Sequence, residues 1–335
     1  MTNDSLSGES RREALVELED IELSFGNSWK RFGQKRTKVL DGVSLTIRRG
    51  EVIGIVGESG SGKTTLGKAL LRLYAPKGRI WYAGQDLASM SEHALRPLRR
   101  DLQMVFQDPL SSFNPRFRIG SSIALPLILN KIARDGDDAS ARIDQLFKQV
   151  GLNPQIKDRY PHELSGGQLQ RVAIARALGV GPKLIIADEA VSKLDVSVRA
   201  QVLNLIKKTN KAHGVAFGFI THDLTVARFL CDRIAVMYAG KIVELADTNN
   251  LFSNPRHPYT VRLINARNID QAESDRAPEG TSSLNLSGCR FAPRCSFRQA
   301  RCDNESPSLA GVGSEHDVAC FYPRDKNSGA NAGRS

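Results

Sequence analysis

The sequence contains no hydrophobic run long enough to cross a bilayer. Its longest uncharged apolar stretch covers residues 119–130 and is interrupted by Ser121, Ser122 and Pro126, whereas a spanning helix needs roughly 20 predominantly apolar residues. The first thirty residues are polar and mixed in charge, without the apolar core of a secretion signal. We therefore expect neither a membrane-spanning helix nor a signal peptide.

Aromatic side chains are scarce, and the charge is unbalanced. Aromatic residues make up 6% of the chain. The 47 Lys and Arg residues outnumber the 36 Asp and Glu residues, which gives a net charge of +11. Basic clusters lie at residues 30–38 and 96–100, but neither carries aromatic residues at the spacing of a base-stacking surface. The clusters favour solvated loops or contacts with lipid headgroups or a membrane partner, and we expect no nucleic-acid partner.

The remaining composition is typical of a globular protein. With 335 residues, 41% hydrophobic and 25% charged, the chain can form one large α/β domain with a small appendage, or two ordinary domains. Alternating residues between 18 and 47 predict antiparallel strands, and short apolar runs near 52, 184 and 216 predict buried parallel strands. The pattern from 111 to 177 is mostly helical, which predicts a helical subdomain inserted into the sheet domain.

The strongest motif is a Gly-rich turn between a predicted strand and a predicted helix. It fits G-x-x-x-x-G-K-[ST], the pattern of a phosphate-binding loop, and consists of Gly57, Glu58, Ser59, Gly60, Ser61, Gly62, Lys63 and Thr64. Glycines let backbone amides turn toward phosphate oxygens, and the helix N-terminus adds partial positive charge. We predict that Lys63 reaches the β and γ phosphates of a nucleotide, that Thr64 binds Mg²⁺, and that Thr65 belongs to the same nucleotide-binding set.

A second motif follows the apolar strand predicted near residue 184. This strand ends in Asp188 and Glu189. Two adjacent carboxylates beside a phosphate loop can take different roles in hydrolysis, one in binding the metal ion and one in activating water. We predict that Asp188 holds Mg²⁺ through water and that Glu189 polarises the attacking water. The two motifs alone indicate a phosphate-loop NTPase.

A second Gly-rich segment narrows the class. Residues 164–168 read LSGGQ, precede a predicted helix and lie twenty residues before the acidic pair. With this segment the chain resembles the ATP-binding cassette (ABC) family, whose signature it matches. A helix N-terminus preceded by a Ser hydroxyl and bare glycine amides can bind anions. In the family this surface serves the nucleotide of a facing subunit, so the resemblance implies nucleotide contacts for Ser165, Gly166, Gly167 and Gln168.

The resemblance extends to other segments between about residues 20 and 265. It implies that Gln107 is the Q-loop glutamine, with a catalytic and Mg²⁺-binding role, that residues 192–195 form the D-loop with Asp195 near nucleotide, and that His222 is the switch histidine contacting the γ-phosphate. Ala190 and Lys193 depart from the family pattern. Lys193 would place a cation where two ATPase subunits meet. All groups needed for hydrolysis are present, so we predict an active site.

An aromatic side chain is expected to stack on adenine. Phe25, just ahead of Gly26, is the best placed, and Trp29 and Phe32 in the basic insertion remain alternatives.

A finer resemblance lies in four stretches of the sequence. They are QDPLSSFNPRFRIG, DVSVRAQVLNLI, RHPYT at 256–260 and the Cys-rich C-terminus. Together they resemble the ATPase subunits of oligopeptide, dipeptide and nickel importers. This implies ATP and Mg²⁺ as cofactors, and a peripheral position on the cytoplasmic face of the bacterial inner membrane. An exporter ATPase and a non-transport ABC ATPase are the alternatives, and the transported solute stays open.

The resemblance also implies several partners. They are two integral-membrane permeases, an identical or paralogous ATPase subunit and an extracytoplasmic solute-binding protein. We expect residues 107–118, predicted to be helical, to contact the cytoplasmic loops of the permeases.

These observations define the expected fold and its segments. The fold class is α/β, a phosphate-loop NTPase of the ABC type with a helical subdomain, an N-terminal antiparallel β-subdomain and a small Cys-rich C-terminal extension. The expected segments are a flexible tail at 1–18, an ABC ATPase domain at 19–265 with its helical subdomain at about 111–177, a linker at 266–287, the extension at 288–323 and a second tail at 324–335.

The cysteines are few and unevenly placed. Cys231 lies alone in an apolar stretch and is predicted to be a buried thiol, and the other four are Cys289, Cys295, Cys302 and Cys320. Because cytoplasmic chains seldom keep disulfides, four clustered cysteines favour a thiolate metal site. Zinc sites usually begin with C-x2-4-C, and the spacings here are wider. A [4Fe-4S] cluster of structural or redox-sensing function is favoured, as the resemblance also implies, with zinc or reduced thiols as alternatives.

Overall fold

The structure is a computed structural model that describes residues 13–26, 37–192, 194–265 and 287–324. Lys193, Trp29, Phe32 and nearly all of the predicted linker at 266–287 lie outside these ranges. So does the C-terminal tail beyond Arg324. Within the described ranges, no helix is both long enough and apolar enough to cross a membrane.

The N-terminal strands form a four-stranded sheet in the order β2-β1-β4-β5, with every pair antiparallel. These strands are β1 (Ala14–Phe25), β2 (Thr37–Arg48), β4 (Lys77–Tyr82) and β5 (Gln85–Asp86). The predicted antiparallel β-subdomain is therefore confirmed. The predicted end of the tail at residue 18 is wrong, because Leu15 and Val16 are buried in the core and Ala14 already pairs with Arg48.

The remaining strands form an eight-stranded sheet in the order β11-β12-β10-β9-β3-β8-β7-β6. They are β3 (Val52–Val56), β6 (Leu102–Val105), β7 (Leu184–Asp188), β8 (Ala216–Thr221), β9 (Arg233–Tyr238), β10 (Lys241–Asp247), β11 (Ala310–Gly313) and β12 (His316–Val318). Strands β6, β7, β8, β3 and β9 run parallel, and β10, β12 and β11 are added antiparallel. Every residue of β3, β7 and β8 is buried, as expected for parallel strands covered on both faces.

The helices cover the eight-stranded sheet and form the helical subdomain. They are α1 (Lys63–Leu70), α2 (Glu92–Leu95), α3 (Ile119–Leu129), α4 (Gly136–Gln149), α5 (Gly166–Gly179), α6 (Val196–His213), α7 (Leu224–Leu230), α8 (Thr248–Ser253), α9 (Pro258–Asn265) and α10 (Ala300–Asn304). Helices α3, α4 and α5 pack around buried Ile123, Ile143 and Phe147, in the region where the sequence predicts the helical subdomain.

The predicted helix over residues 107–118 is wrong. The structure has only a 3₁₀ turn there, at Leu110–Ser112. Pro109 and Pro115 lack the backbone N–H that a continuous helix needs. The segment is therefore mainly a loop leading into α3.

The C-terminal segment is continuous with the main sheet. Strand β12 pairs with β10, and buried Glu244 of β10 accepts hydrogen bonds from the backbone nitrogens of Arg256 at 2.7 Å and His257 at 2.9 Å. The Nε2 of His316 donates to the same carboxylate at 2.7 Å, while its Nδ1 accepts from Asn250. The predicted separate extension is thus not what the structure shows, since its strands continue the sheet edge.

We expect Glu244→Ala to lower the free energy of unfolding by about 3 kcal/mol, because it leaves several buried donors without an acceptor. The matched control is Glu305→Ala, which removes only an exposed pair with Arg301 and should cost less than about 1 kcal/mol. Urea unfolding of the three proteins measures both effects. Equal midpoints for the two variants would contradict this account of the sheet edge.

Candidate functional site

The candidate site lies at the carboxyl edge of the parallel strands. The phosphate loop follows β3, Gln107 follows β6, Glu189 follows β7 and His222 follows β8. Because parallel strands end at the same edge, residues far apart in sequence meet there. They line one open cleft of about 600 Å³, together with Ser59, Gly60, Gly62, Lys63, Thr64 and Thr65.

The side chain of Lys63 forms hydrogen bonds to the backbone of its own phosphate loop. Lys63 Nζ donates to the carbonyl oxygens of Gly57 and Glu58, each at 2.8 Å, and Ser61 Oγ lies 3.5 Å away. Burial lowers the pKa of Lys63, an effect opposed by the nearby carboxylates, of which Glu189 contributes most. The ammonium group thus lies inside the loop, where phosphate oxygens can replace the carbonyls.

At two glycines of the loop a side chain would be strained and would also crowd the backbone of a neighbouring strand. Gly57 has φ 153° and Gly62 has φ 102°. A Cβ on Gly57 would lie 2.2 Å from the carbonyl oxygen of Met237, and one on Gly62 would lie 3.0 Å from that of Val39. The tight turn of the loop against β2 and β9 therefore requires glycine at both positions.

Two of the three predicted magnesium ligands, Thr64 and Asp188, are adjacent, whereas the side-chain nitrogen of the third, Gln107, donates to Glu189. Thr64 Oγ1 donates to Asp188 Oδ1 at 2.9 Å, and burial raises the pKa of Asp188 while this hydrogen bond opposes the rise. A hydroxyl and a carboxylate are the hard oxygen ligands that Mg²⁺ prefers. Within the described ranges no group of three or more His, Cys, Asp or Glu is placed to hold a metal ion. The pair therefore fits Mg²⁺ that takes its other ligands from phosphate and water.

Glu189 is held from two sides. Gln107 Nε2 donates to its Oε2 at 2.7 Å, and His222 Nδ1 lies 3.2 Å from its Oε1. The residue has φ 44°, a conformation that non-glycine residues adopt at a cost and that is concentrated at functional sites. Its backbone nitrogen donates to the carbonyl of Ile220 at 3.0 Å, which holds that conformation. The arrangement aims a carboxylate into the cleft beside the phosphate loop.

The LSGGQ residues form an exposed helix start. Ser165 Oγ accepts from the backbone nitrogen of Gln168 at 3.3 Å, and Gln168 Oε1 accepts from that of Ser165 at 3.0 Å. A Cβ on Gly167 would lie 2.7 Å from Val198, whereas Gly166 faces open space. Gly166 borders a groove that Gln107 and Glu189 also line. These two residues line the phosphate-loop cleft as well, but Gly166 does not.

Asp195 and Phe25 have local contacts. Asp195 caps α6 by accepting from the backbone nitrogen of Val198 at 2.8 Å. Phe25 is 44% exposed, and its ring lies edge-on to Tyr74 with centroids 5.3 Å apart. Their proposed roles near nucleotide stay predictions.

The four C-terminal cysteines converge on one narrow apolar cavity, which His257, Phe291 and Phe297 also line. Burial raises the pKa of Cys289 and Cys295, and that of Cys320 to about 11. The structure provides no group of three or more of these side chains placed to hold a metal ion, within its described ranges. Cys231 is buried, as predicted.

Two residues that contact the phosphate loop were missed by the sequence analysis. The backbone nitrogen of Glu58 donates to Tyr259 Oη at 2.9 Å, and both terminal nitrogens of Arg294 donate to the Glu58 carboxylate, at 2.8 and 3.1 Å. The HPYT motif marked Tyr259 without indicating its contact. No sequence signal pointed to Arg294.

Comparison with known proteins agrees with this geometry. Residues 40–192 match the family described as ABC transporter, and residues 243–302 match the oligopeptide/dipeptide transporter C-terminal region. The chain is 42% identical to the oligopeptide transport ATP-binding protein OppF of Salmonella typhimurium, over 93% of this chain and 97% of OppF. It is 41% identical to AppF of Bacillus subtilis, over 93% of this chain and 98% of AppF.

Solved structures show the same cassette. The dimeric, post-hydrolysis ATP-binding cassette MJ0796 bound to ADP and Pi is 31% identical and superposes with a TM-score of 0.64, over 70% of this chain and 99% of that one. For cbiO1 from Clostridium perfringens the identity is 27% and the TM-score 0.62, over 76% of this chain and 96% of cbiO1. The chain therefore belongs to the ATP-binding proteins of the ABC transporter family, in the branch that carries the oligopeptide/dipeptide transporter C-terminal region.

Proposed function

We propose that this protein is the ATP-binding and ATP-hydrolysing subunit that energises uptake of peptides or similar small solutes by a bacterial ABC importer. The observation that carries the proposal is the position of Glu189, aimed into the phosphate-loop cleft between Gln107 and His222. The relatives named as oligopeptide transport ATP-binding proteins favour peptides as cargo.

The position of Glu189 supports attack of water on the γ-phosphate. Lys63 exchanges its carbonyl partners for phosphate oxygens, which are stronger acceptors because they are charged. Glu189 orients and polarises the water, while Lys63 and His222 stabilise the charge that develops on the phosphate. Thr64 and Asp188 would hold Mg²⁺, which would supply positive charge to the phosphate groups.

A second ATPase subunit completes each nucleotide site in this proposal. The LSGGQ surface is an exposed helix start with a hydroxyl and a bare glycine, and such a surface binds anions. None of its residues lines the phosphate-loop cleft of the same chain, so we assign it to the nucleotide of a facing subunit. MJ0796, which shares the fold, is dimeric. The partner is either a second copy or a paralogue.

The membrane partners are two permeases, with an extracytoplasmic solute-binding protein supplying the solute. Leu125 and Leu129 on α3 are 55% and 66% exposed, and Leu129 borders a groove that Phe106, beside Gln107, also lines. A permease loop in this groove would contact both the helical subdomain and the loop carrying Gln107. We therefore place the protein at the cytoplasmic face of the inner membrane as a peripheral subunit.

Glu189→Gln should lower the rate of ATP hydrolysis at least about 100-fold, because the amide cannot polarise water, while ATP binding is retained. Phosphate release and nucleotide binding measure the two effects. The matched control is Glu19→Gln, an exposed carboxylate that pairs with Arg79 on the antiparallel sheet and should hydrolyse ATP at the parent rate. Hydrolysis by Glu189→Gln at the parent rate would refute the assigned role.

Purification of tagged Glu189→Gln from detergent-solubilised native membranes, in ATP, should retain two permeases and a related ATPase. Adding Leu129→Asp should remove the permeases, because a charge in an apolar contact is costly to desolvate. The control is Phe229→Asp, which changes an apolar residue on α7 that is also exposed, at 46%. Recovery of the tagged protein with no permease would contradict the transport function. Recovery with an export permease would favour the exporter alternative.

We also propose a [4Fe-4S] cluster for the C-terminal cysteines, supported by their convergence on one cavity and by a spacing wider than that of zinc sites. In the described ranges no three of these side chains are placed to hold a metal ion, so cluster binding would have to draw the thiols together. Protein purified without oxygen should contain iron and sulfide, and Cys302→Ser should lose both. Cys231→Ser is the control, since that thiol lies elsewhere in the core. Absence of iron and sulfide from the parent would leave reduced thiols as the assignment, and zinc alone would contradict the cluster.

A further inference from the structure

Two residues from the C-terminal part of the chain contact the phosphate loop at Glu58. Tyr259 of α9 accepts a hydrogen bond from its backbone nitrogen, and Arg294 forms a two-point ion pair with its carboxylate. Most backbone nitrogens of such a loop serve the phosphates. The N–H of Glu58 is instead committed to Tyr259, which fixes the orientation of this peptide.

The ion pair also changes the charge of the loop. Glu58 places a carboxylate in a loop predicted to receive a triphosphate, and like charges repel each other. The guanidinium of Arg294 offsets this charge, and Glu58 in turn raises the pKa of Arg294. A two-point pair also fixes the side chains in one geometry, which a single-point pair would not.

Arg294 is held by buried structure. It ends the 3₁₀ turn Ala292–Arg294, and the neighbouring Phe291 packs against Tyr259 and Tyr238, with ring centroids 5.5 and 5.2 Å apart. Arg290 anchors the same turn by an ion pair with Asp41 at 2.6 Å. The backbone that carries Arg294 is therefore held in place, and its guanidinium contacts Glu58 in a defined position.

We propose that Arg294 and Tyr259 are positioning residues for the phosphate loop, and that they raise ATP affinity by offsetting the charge of Glu58 and ordering its peptide. The inference rests on the proposed ATPase function. It adds a contribution of the C-terminal segment to nucleotide binding within the same chain.

The test compares Arg294→Gln with the double variant Glu58→Gln/Arg294→Gln. Arg294→Gln should weaken MgATP binding and raise KM about fivefold, with kcat within about twofold, and the loss should shrink at high salt. The double variant should recover most of the affinity, because the uncompensated carboxylate is gone. A merely structural defect in the C-terminal segment would not be repaired by a change in the phosphate loop.

Two further variants sharpen the result. Arg298→Gln removes an ion pair with Asp303 in the same segment and should bind MgATP like the parent. Arg294→Lys should recover only part of the affinity, because an ammonium group cannot form the two-point contact. Melting temperatures establish that each variant is folded.

Two results would overturn the inference. They are parent-like affinity in Arg294→Gln, or a loss that the double variant fails to repair. Either would leave the ATPase function intact, whereas a parent protein that neither binds nor hydrolyses ATP would refute the proposed function itself.

Discussion

The buried ammonium group of Lys63 is the constraint on which the nucleotide-binding edge depends. A cation removed from water must be surrounded by other polar groups, and here two carbonyl oxygens of the loop serve that purpose. The loop is therefore curved around its lysine. A loop ordered by its own contacts leaves more of the interaction with phosphate available as affinity.

The same edge must also hold negative charge. Asp188 ends β7 and Glu189 follows it, yet the positive φ of Glu189 directs the two side chains differently. Asp188 accepts a hydrogen bond from Thr64, and Glu189 accepts one from Gln107. Adjacent carboxylates thus take different surroundings, and burial raises the pKa of Asp188. The parallel sheet makes this division possible, since three neighbouring strands deliver the groups that hold the two carboxylates.

The parts of the site that could be predicted from sequence are those in which residue type and local spacing carry the chemistry. The phosphate loop and the acidic pair are local in this sense. Tyr259 and Arg294 lie 201 and 236 residues from Glu58, so only the fold brings them to it. The errors at residue 18 and in the C-terminal segment have the same origin, because strand pairing with distant residues has no local signal. The prediction of a helix over 107–118 was wrong because it did not take account of Pro109 and Pro115, which interrupt helical hydrogen bonding.

The eight-stranded sheet connects the C-terminal segment to the phosphate loop. Strand β12 pairs with β10, β10 with β9, and β9 with β3, which leads into the phosphate loop. Glu244 joins the first two of these strands to the segment that begins α9, and α9 supplies Tyr259. Arg294 and Tyr259 therefore reach Glu58 from a framework that shares hydrogen bonds with the loop's own strand. A segment attached by a mobile linker alone could not hold a two-point ion pair in one geometry. The C-terminal residues are structurally part of the nucleotide-binding domain.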